Sequence, residues 1–484
     1  MTTRQTPPNI QQTYENLKNQ HPTKCLQLKH TKNNKHYYIH QITSQYNKQT
    51  KKITKTSTHL GTITPQGQYK PKKTTIKETK RDIYEYANAT LTHNLLKDIE
   101  THLQQQNTPN HQDIIAYAII QTLSPSPIRL LQTKWEKLYT SKTLQANLNE
   151  KHISQLLKDI GKNITHYYHL FSQLQTNNGL LLYDLTSILT YSKNLKLAEK
   201  GYNHEHQYQN QIGVILAFDC QNHLPIGTDV FYGSMKDVST ITDFLQRFPD
   251  IKDRKVGFIF DRGFISFELL KQLREKKISY LVPLRKNSVD FDVLSLWWED
   301  SFMYRDRAIR WAKSSCEHGL LYVFEDPLLR GEEEGALLRR VVRGELSMDE
   351  FELKREVAGV VAFVSDLVRE PLEVYLLYKG REEVELAFDA LKNSVGGDCV
   401  YLRDEESVRG YFFVCFLALR VYFKVLRRLR ELGLSGSVSV EEVLFELSKV
   451  ERVVEVKTGR EYYGSIHKRS RDMLDLFDKH IPMG

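Results

Sequence analysis

Between Gly179 and Arg285 the chain sets down five short apolar runs. They read L-L-L-Y-D-L-T-S-I (180–188), Q-I-G-V-I-L-A-F-D (211–219), P-I-G-T-D-V-F-Y-G (225–233), K-V-G-F-I-F-D-R-G-F (255–264) and S-Y-L-V-P-L-R (279–285). Runs this short, rich in branched and aromatic residues and bounded by Gly, Pro and Asn, read as strands. Two helical segments, S-T-I-T-D-F-L-Q-R-F (239–248) and F-E-L-L-K-Q-L-R-E-K (267–276), separate the last three. The second and third runs stand at hairpin spacing. The resulting order is three strands, a helix, a strand, a helix and a strand. No other feature narrows the fold as much, because a strand reached through a helical crossover pairs parallel to its neighbour. The class is α/β.

That order matches the ribonuclease-H-like layout, whose fourth strand lies parallel beside the first. Parallel neighbours bring Asp184, in the first run, and Asp261, in the fourth, towards one edge of the sheet. Asp219 also ends a run, but its antiparallel strand carries it away from that edge. Asp237 is a weaker candidate to line the site. His204 and His206 sit in a polar loop with no third ligand at zinc spacing.

The rest of the chain divides around this core. Residues 1–80 hold 15 Lys and Arg against only Glu15 and Glu78, while the remainder carries a slight acidic excess. The net charge of +9 is therefore an N-terminal property, and it points to a polyanion, nucleic acid above all. We read 1–80 as a basic arm with short strands and 81–175 as a mostly helical DNA-binding domain. Residues 176–288 are the first part of the catalytic core and 289–355 a β-rich insertion holding Trp297, Trp298 and Trp311. Residues 356–430 resume the core, and 431–484 form a C-terminal helical region. Asn147 or Asn149 would cap a helix that follows. The five cysteines are scattered without a C-x-x-C pair, which disfavours a disulfide framework or a zinc knuckle. No run of about 18 apolar residues occurs, so the expectation is a cytoplasmic protein with no membrane segment. Composition also shifts along the chain: no Gln follows Gln272, and Thr458 is the only Thr after Thr242.

The remaining chemistry lies in Y-L-L-Y-K-G-R-E-E-V-E-L-A-F-D-A-L-K, Tyr375 to Lys392. At about 100° per residue, Tyr378, Arg381, Glu385 and Lys392 fall within an arc of roughly 60° along ~21 Å of helix. Leu377, Val384, Phe388 and Leu391 occupy the adjacent sector and would hold the helix to a core. Pro371 suits its first turn. The bland reading is a surface helix with i,i+4 salt links such as Arg381–Glu385. The other is that Glu385 joins Asp184 and Asp261. Three carboxylates repel unless cations compensate, and an all-oxygen set selects Mg²⁺ or Mn²⁺ over zinc. Two such ions are suited to phosphoryl transfer.

The string Tyr378-x2-Arg381-x3-Glu385-x6-Lys392, with Y-D-L-T around Asp184 and F-D-R-G-F around Asp261, resembles the signature of the DDE transposases of prokaryotic insertion sequences. The likeness runs from about Gly179 to Lys424. It implies a ribonuclease-H-like catalytic core with a β-rich insertion, binding two Mg²⁺ (Mn²⁺ may replace them) through Asp184, Asp261 and Glu385. It also implies cleavage and strand transfer at terminal inverted repeats of double-stranded DNA, in a homodimeric synaptic complex associated with a prokaryotic nucleoid. Tyr378, Arg381 and Lys392 would contact the DNA end, and Trp297 or Trp298 would stack a flipped base. Two alternatives are a DNA-binding protein of this fold that has lost transposition and a structure-selective nuclease. Glu382, where the family often has an aromatic residue, puts an acid close to the expected DNA.

Overall fold

The computed structural model describes residues 6–30, 35–47, 52–72, 80–174, 180–192, 194–202, 208–233, 244, 257–260, 267–286 and 297–483. They form two compact units, Met1–Lys80 and Arg81–Gly484.

The first unit is more ordered than an arm. Helix α1 (Pro8–Gln20) precedes β1 (Leu26–His30), β2 (Tyr37–Asn47), β3 (Lys52–Ile63) and β4 (Tyr69–Pro71), a four-stranded antiparallel sheet in sequential order. Ile10 of α1 closes on Leu26, Ile39 and Ile63. Thr13 and Tyr14 lock the helix down by donating to the carbonyls of Gly67 and Leu26, each at 2.7 Å. Alternation then puts Lys29, Tyr38, His40, Ser57 and His59 on the opposite face, where His40 and Ser57 stand 3.0 Å apart.

The second unit opens with β5 (Arg81–Glu85), α2 (Ala87–Leu95), α3 (Lys97–Gln105), α4 (His111–Leu123), α5 (Leu131–Trp135), α6 (Glu150–Lys162) and α7 (Ile164–Leu174). Asn149 caps α6 by accepting the His152 N–H at 2.9 Å. The helical expectation for the first residues after Lys80 is corrected: R-D-I-Y-E is a strand, because it pairs with a partner far along the chain.

The five apolar runs all form strands: β6 (Leu180–Thr190), β8 (Tyr208–Asp219), β9 (Leu224–Tyr232), β10 (Gly257–Phe260) and β11 (Ser279–Pro283), with a short β7 (Glu199–Tyr202) paired to β8. Helix α8 (Phe267–Glu275) falls where expected; of the segment 239–248 only Phe244 is described. Across the sheet these strands run β9-β8-β6-β10-β11. β6, β10 and β11 are parallel, and β8 and β9 alternate in direction beyond β6.

The sheet does not stop there. β12 (Asp300–Tyr304), β13 (Arg307–Cys316) and β14 (Gly319–Glu325) form a meander, followed by α9 (Pro327–Val342), α10 (Met348–Glu356) and β15 (Val360–Ser365). β15 pairs antiparallel with both β11 and β14, so the strands of 300–325 prolong the main sheet. Asp326 caps α9, and Ser347 with Glu350 forms a capping box on α10.

Next come α11 (Pro371–Lys379), α12 (Glu382–Asp389), a π-helical turn at Ala390–Ser394, β16 (Cys399–Val400) and α13 (Glu405–Glu431). α13 runs through the core against α4, α6 and β9. Its buried Arg420 donates to the Pro225 carbonyl at 2.6 Å, and burial pushes that guanidinium down to about 10. Arg409 of the same helix pairs with buried Asp229 at 2.5 Å. No single helix among the described residues is long and apolar enough to cross a membrane, although the bent pair His111–Leu123 and Ile128–Trp135 passes by length and composition. The C-terminal region is only partly helical. α14 (Val440–Ser448) and α15 (Lys468–Leu476) flank β17 (Glu451–Glu455) and β18 (Glu461–Tyr463), and β17 pairs with β5.

Candidate active site

Strand β6 carries Asp184 at mid-length, half-buried, with its Oδ1 accepting the Leu185 N–H at 2.8 Å. Alternation puts Asp184 on the sheet face that bears Leu180, Leu182 and Ile188. That face is covered by α12, which packs on β6 and β8 and buries Val384, Ala387 and Phe388 in the same cluster. Two of the three expected carboxylates, Asp184 and Glu385, therefore belong to elements on one side of the sheet. Asp261 lies outside the described residues. Its predecessor Phe260 pairs in parallel register with Tyr183, the predecessor of Asp184. Among the described residues no three His, Cys, Asp or Glu side chains group closely enough to hold a metal. Asp237, His204 and His206 also lie outside the described residues.

The uninterrupted α-helix expected through Tyr375–Lys392 is corrected. At Gly380 the hydrogen-bond ladder tightens: the N–H groups of Arg381, Glu383 and Val384 donate to carbonyls three residues back. At the other end the backbone widens into the π turn that contains Lys392. One turn overwinds and the other underwinds, so an angle of about 100° per residue does not carry through the stretch. Glycine, with its low helix propensity, marks the first change.

The four residues consequently differ in setting. Tyr378 lies in the last turn of α11 with its ring 4.5 Å from that of Phe363 on β15. Arg381 sits at the junction and donates from Nη2 to Glu385 Oε1 at 2.9 Å. Glu385 is 59% exposed. Lys392 is half-buried, and burial lowers its pKa against the opposing pull of Asp389. Trp297 is 91% exposed, whereas Trp298 packs partly buried against the main core.

Two contacts were not read from the sequence. Glu382 meets Arg305, in the β12–β13 turn, at 3.4 Å, and Glu383 pairs with Arg430 of α13 at 2.9 Å. The first answers the puzzle of an acid at this position, since a cation stands beside it. No local signal could have found either partner. Asp219 turns out to organise a turn, accepting the N–H groups of Gln221 and Asn222 at 2.8 and 3.1 Å.

A family model described as the transposase DDE domain matches residues 176–421, just over half of the chain. Among solved structures, the cryo-EM structure of the piggyBac transposase synaptic complex with hairpin DNA is 11% identical, with a TM-score of 0.38 over 76% of this chain and 82% of that one. A search of curated proteins finds no match. The family match spans β6, α12 and the sheet between them, and on it the chain belongs to the transposases with a DDE domain.

Proposed function

We propose that the chain cleaves and joins double-stranded DNA at the terminal inverted repeats of its own insertion sequence, using Asp184, Asp261 and Glu385 as the metal-binding triad of a ribonuclease-H-like core. The observation that carries this reading is the common sheet face of β6 and α12, which bear Asp184 and Glu385. The strand order β9-β8-β6-β10-β11, with three parallel members, supports the core assignment.

The donor set fits a hard divalent cation: carboxylate oxygens alone, with no thiol or imidazole in the triad. Two Mg²⁺ ions, or Mn²⁺, would activate the attacking oxygen and neutralise charge on the leaving one. The protein's own part is positional. Arg381 holds the Glu385 carboxylate through an i,i+4 pair, a solvent-screened contact of at most about 0.5 kcal/mol that yields readily to a better ligand for the carboxylate. Arg381 and Lys392 then supply cations for the phosphates of the DNA end, and Tyr378, fixed by Phe363, supplies a hydroxyl. The exposed face of Trp297 is free to stack on a base. Lys29 and its neighbours on the open face of the first unit's sheet provide a further surface for the DNA backbone. Two copies, each holding one end, complete the proposed complex.

The test uses purified full-length protein, Mg²⁺ and a duplex carrying the sequences that flank its reading frame. Nicks at the repeat termini are expected, and no nicks in scrambled flanks. Tight binding to the flanks without any cleavage would instead indicate a DNA-binding protein that has lost transposition.

A further inference from the structure

Helix α9 has a face that none of the described residues covers. Along it, Leu328, Gly331, Gly335, Leu338 and Val342 fall within an arc of about 80° over ~21 Å. Leu328, Leu338 and Val342 are 57%, 44% and 88% exposed. Among the described residues, a Cβ added at Gly331 would meet no atom within 4 Å, and one at Gly335 would meet only the Arg339 guanidinium at 3.8 Å. Each interior glycine weakens the helix by about 1 kcal/mol relative to alanine, so the fold of the single chain gains nothing from either. The opposite side of α9 is firmly anchored. There Arg330 reaches buried Glu325 at 2.6 Å, and Glu333 accepts from Lys286 at 2.7 Å and from the Gly359 N–H at 2.8 Å. The uncovered face is thus held outward, and its glycines leave room for something to approach the backbone closely.

The charges beside this stripe identify what approaches. Glu332 and Arg339 lie on the same flank, at about 100° and 80° from Gly331; neither forms a salt bridge among the described residues, although the Glu332 charge also acts on Arg307 at the start of β13. They stand three residues before and four residues after Gly335. The helix is therefore acidic, small and basic in turn about that glycine, a pattern complementary to its own reverse. We infer that α9 pairs with α9 of a second copy of this chain, antiparallel, across a two-fold axis near Gly335. In that arrangement Leu328 lies against Val342 of the second copy, and Gly331 receives its Leu338. Glu332 stands within about 1.5 Å axially of its Arg339. Every contact occurs twice, as an isologous interface requires.

A face this short buries less than the roughly 800 Å² per partner of a stable interface, so the free protein dimerises reversibly. The pairing does not depend on the catalytic reading. Its use does: two copies holding the two ends of one element would bind cooperatively through a weak contact of this kind.

Sedimentation velocity of the full-length protein without DNA, up to about 100 µM, tests it. The wild type is expected to pass from monomer to dimer as concentration rises. Gly335→Leu should stay monomeric while melting at the same or a higher temperature, because leucine favours the helix but fills the crossing point. Arg339→Glu and Glu332→Arg should each weaken the dimer about tenfold or more, and the double exchange should restore it. A wild type that remains monomeric, or a dimer that Gly335→Leu leaves intact, would overturn the inference. So would a double exchange no better than the single ones.

Discussion

Glu385 presents its carboxylate to solvent with Arg381 one turn back, an arrangement that costs the fold little to lose. Glu100 is a contrasting acid. It is buried on α3, where burial works to raise its pKa, but hydrogen bonds from His93 and Lys97 at 3.0 and 2.6 Å outweigh that and hold it at about 2. A carboxyl depressed in the folded state contributes stability above its unfolded pKa and loses it as pH falls through the folded value. Thermal melts should therefore show the wild type losing stability from about pH 4.5 down towards pH 2, and Glu100→Gln with a flatter profile across that window. Equal slopes would mean that the three side chains are not coupled. At this scale the sequence is most legible where a residue's role follows from its immediate neighbours. Asp184 stands out because leucines and a tyrosine surround it in a strand. Glu382 does not, because the residue that explains it, Arg305, is 77 positions away.

Elements were legible where periodicity and burial agree. β6, β8, β9, β10 and β11 announce themselves because both faces are largely covered, leaving near-continuous apolar runs. β5, β17 and β18 stayed hidden because their partners are distant in sequence and their charged residues mimic a surface helix. Through Tyr375–Lys392, periodicity located the helical stretch but not its tightened and widened turns. Those arise from Gly380 and from packing rather than from the apolar pattern. α9 lies in the stretch read as a β-rich insertion, and its charges divide between two sides. One side ties it to the sheet through Glu325, which is 1% exposed and meets Arg330 at 2.6 Å and Arg310 at 3.3 Å. Stripping a buried carboxylate of a partner is costly, so Arg330→Ala should lower stability by about 3 kcal/mol in denaturant unfolding. A loss below about 1 kcal/mol would show that Arg310 alone suffices.

At the scale of the molecule, the sequence showed a basic front and a nearly neutral remainder, and the structure gives that front its own small core. Residues 81–174 share a compact unit with the sheet, an arrangement no local pattern could reveal, because it rests on α13 packing against α4 and α6. The proposed reaction depends on one carboxylate completing a triad. Glu385→Ala removes an exposed side chain and a solvent-screened pair, so the variant should fold and bind its flanking DNA within about threefold of the wild type. Measured side by side on end-bearing duplex in Mg²⁺, its nicking rate should fall by about a thousandfold or more, equivalent to about 4 kcal/mol of transition-state stabilisation. Nicking at the wild-type rate would contradict the assignment of Glu385 and, with it, the proposed active site.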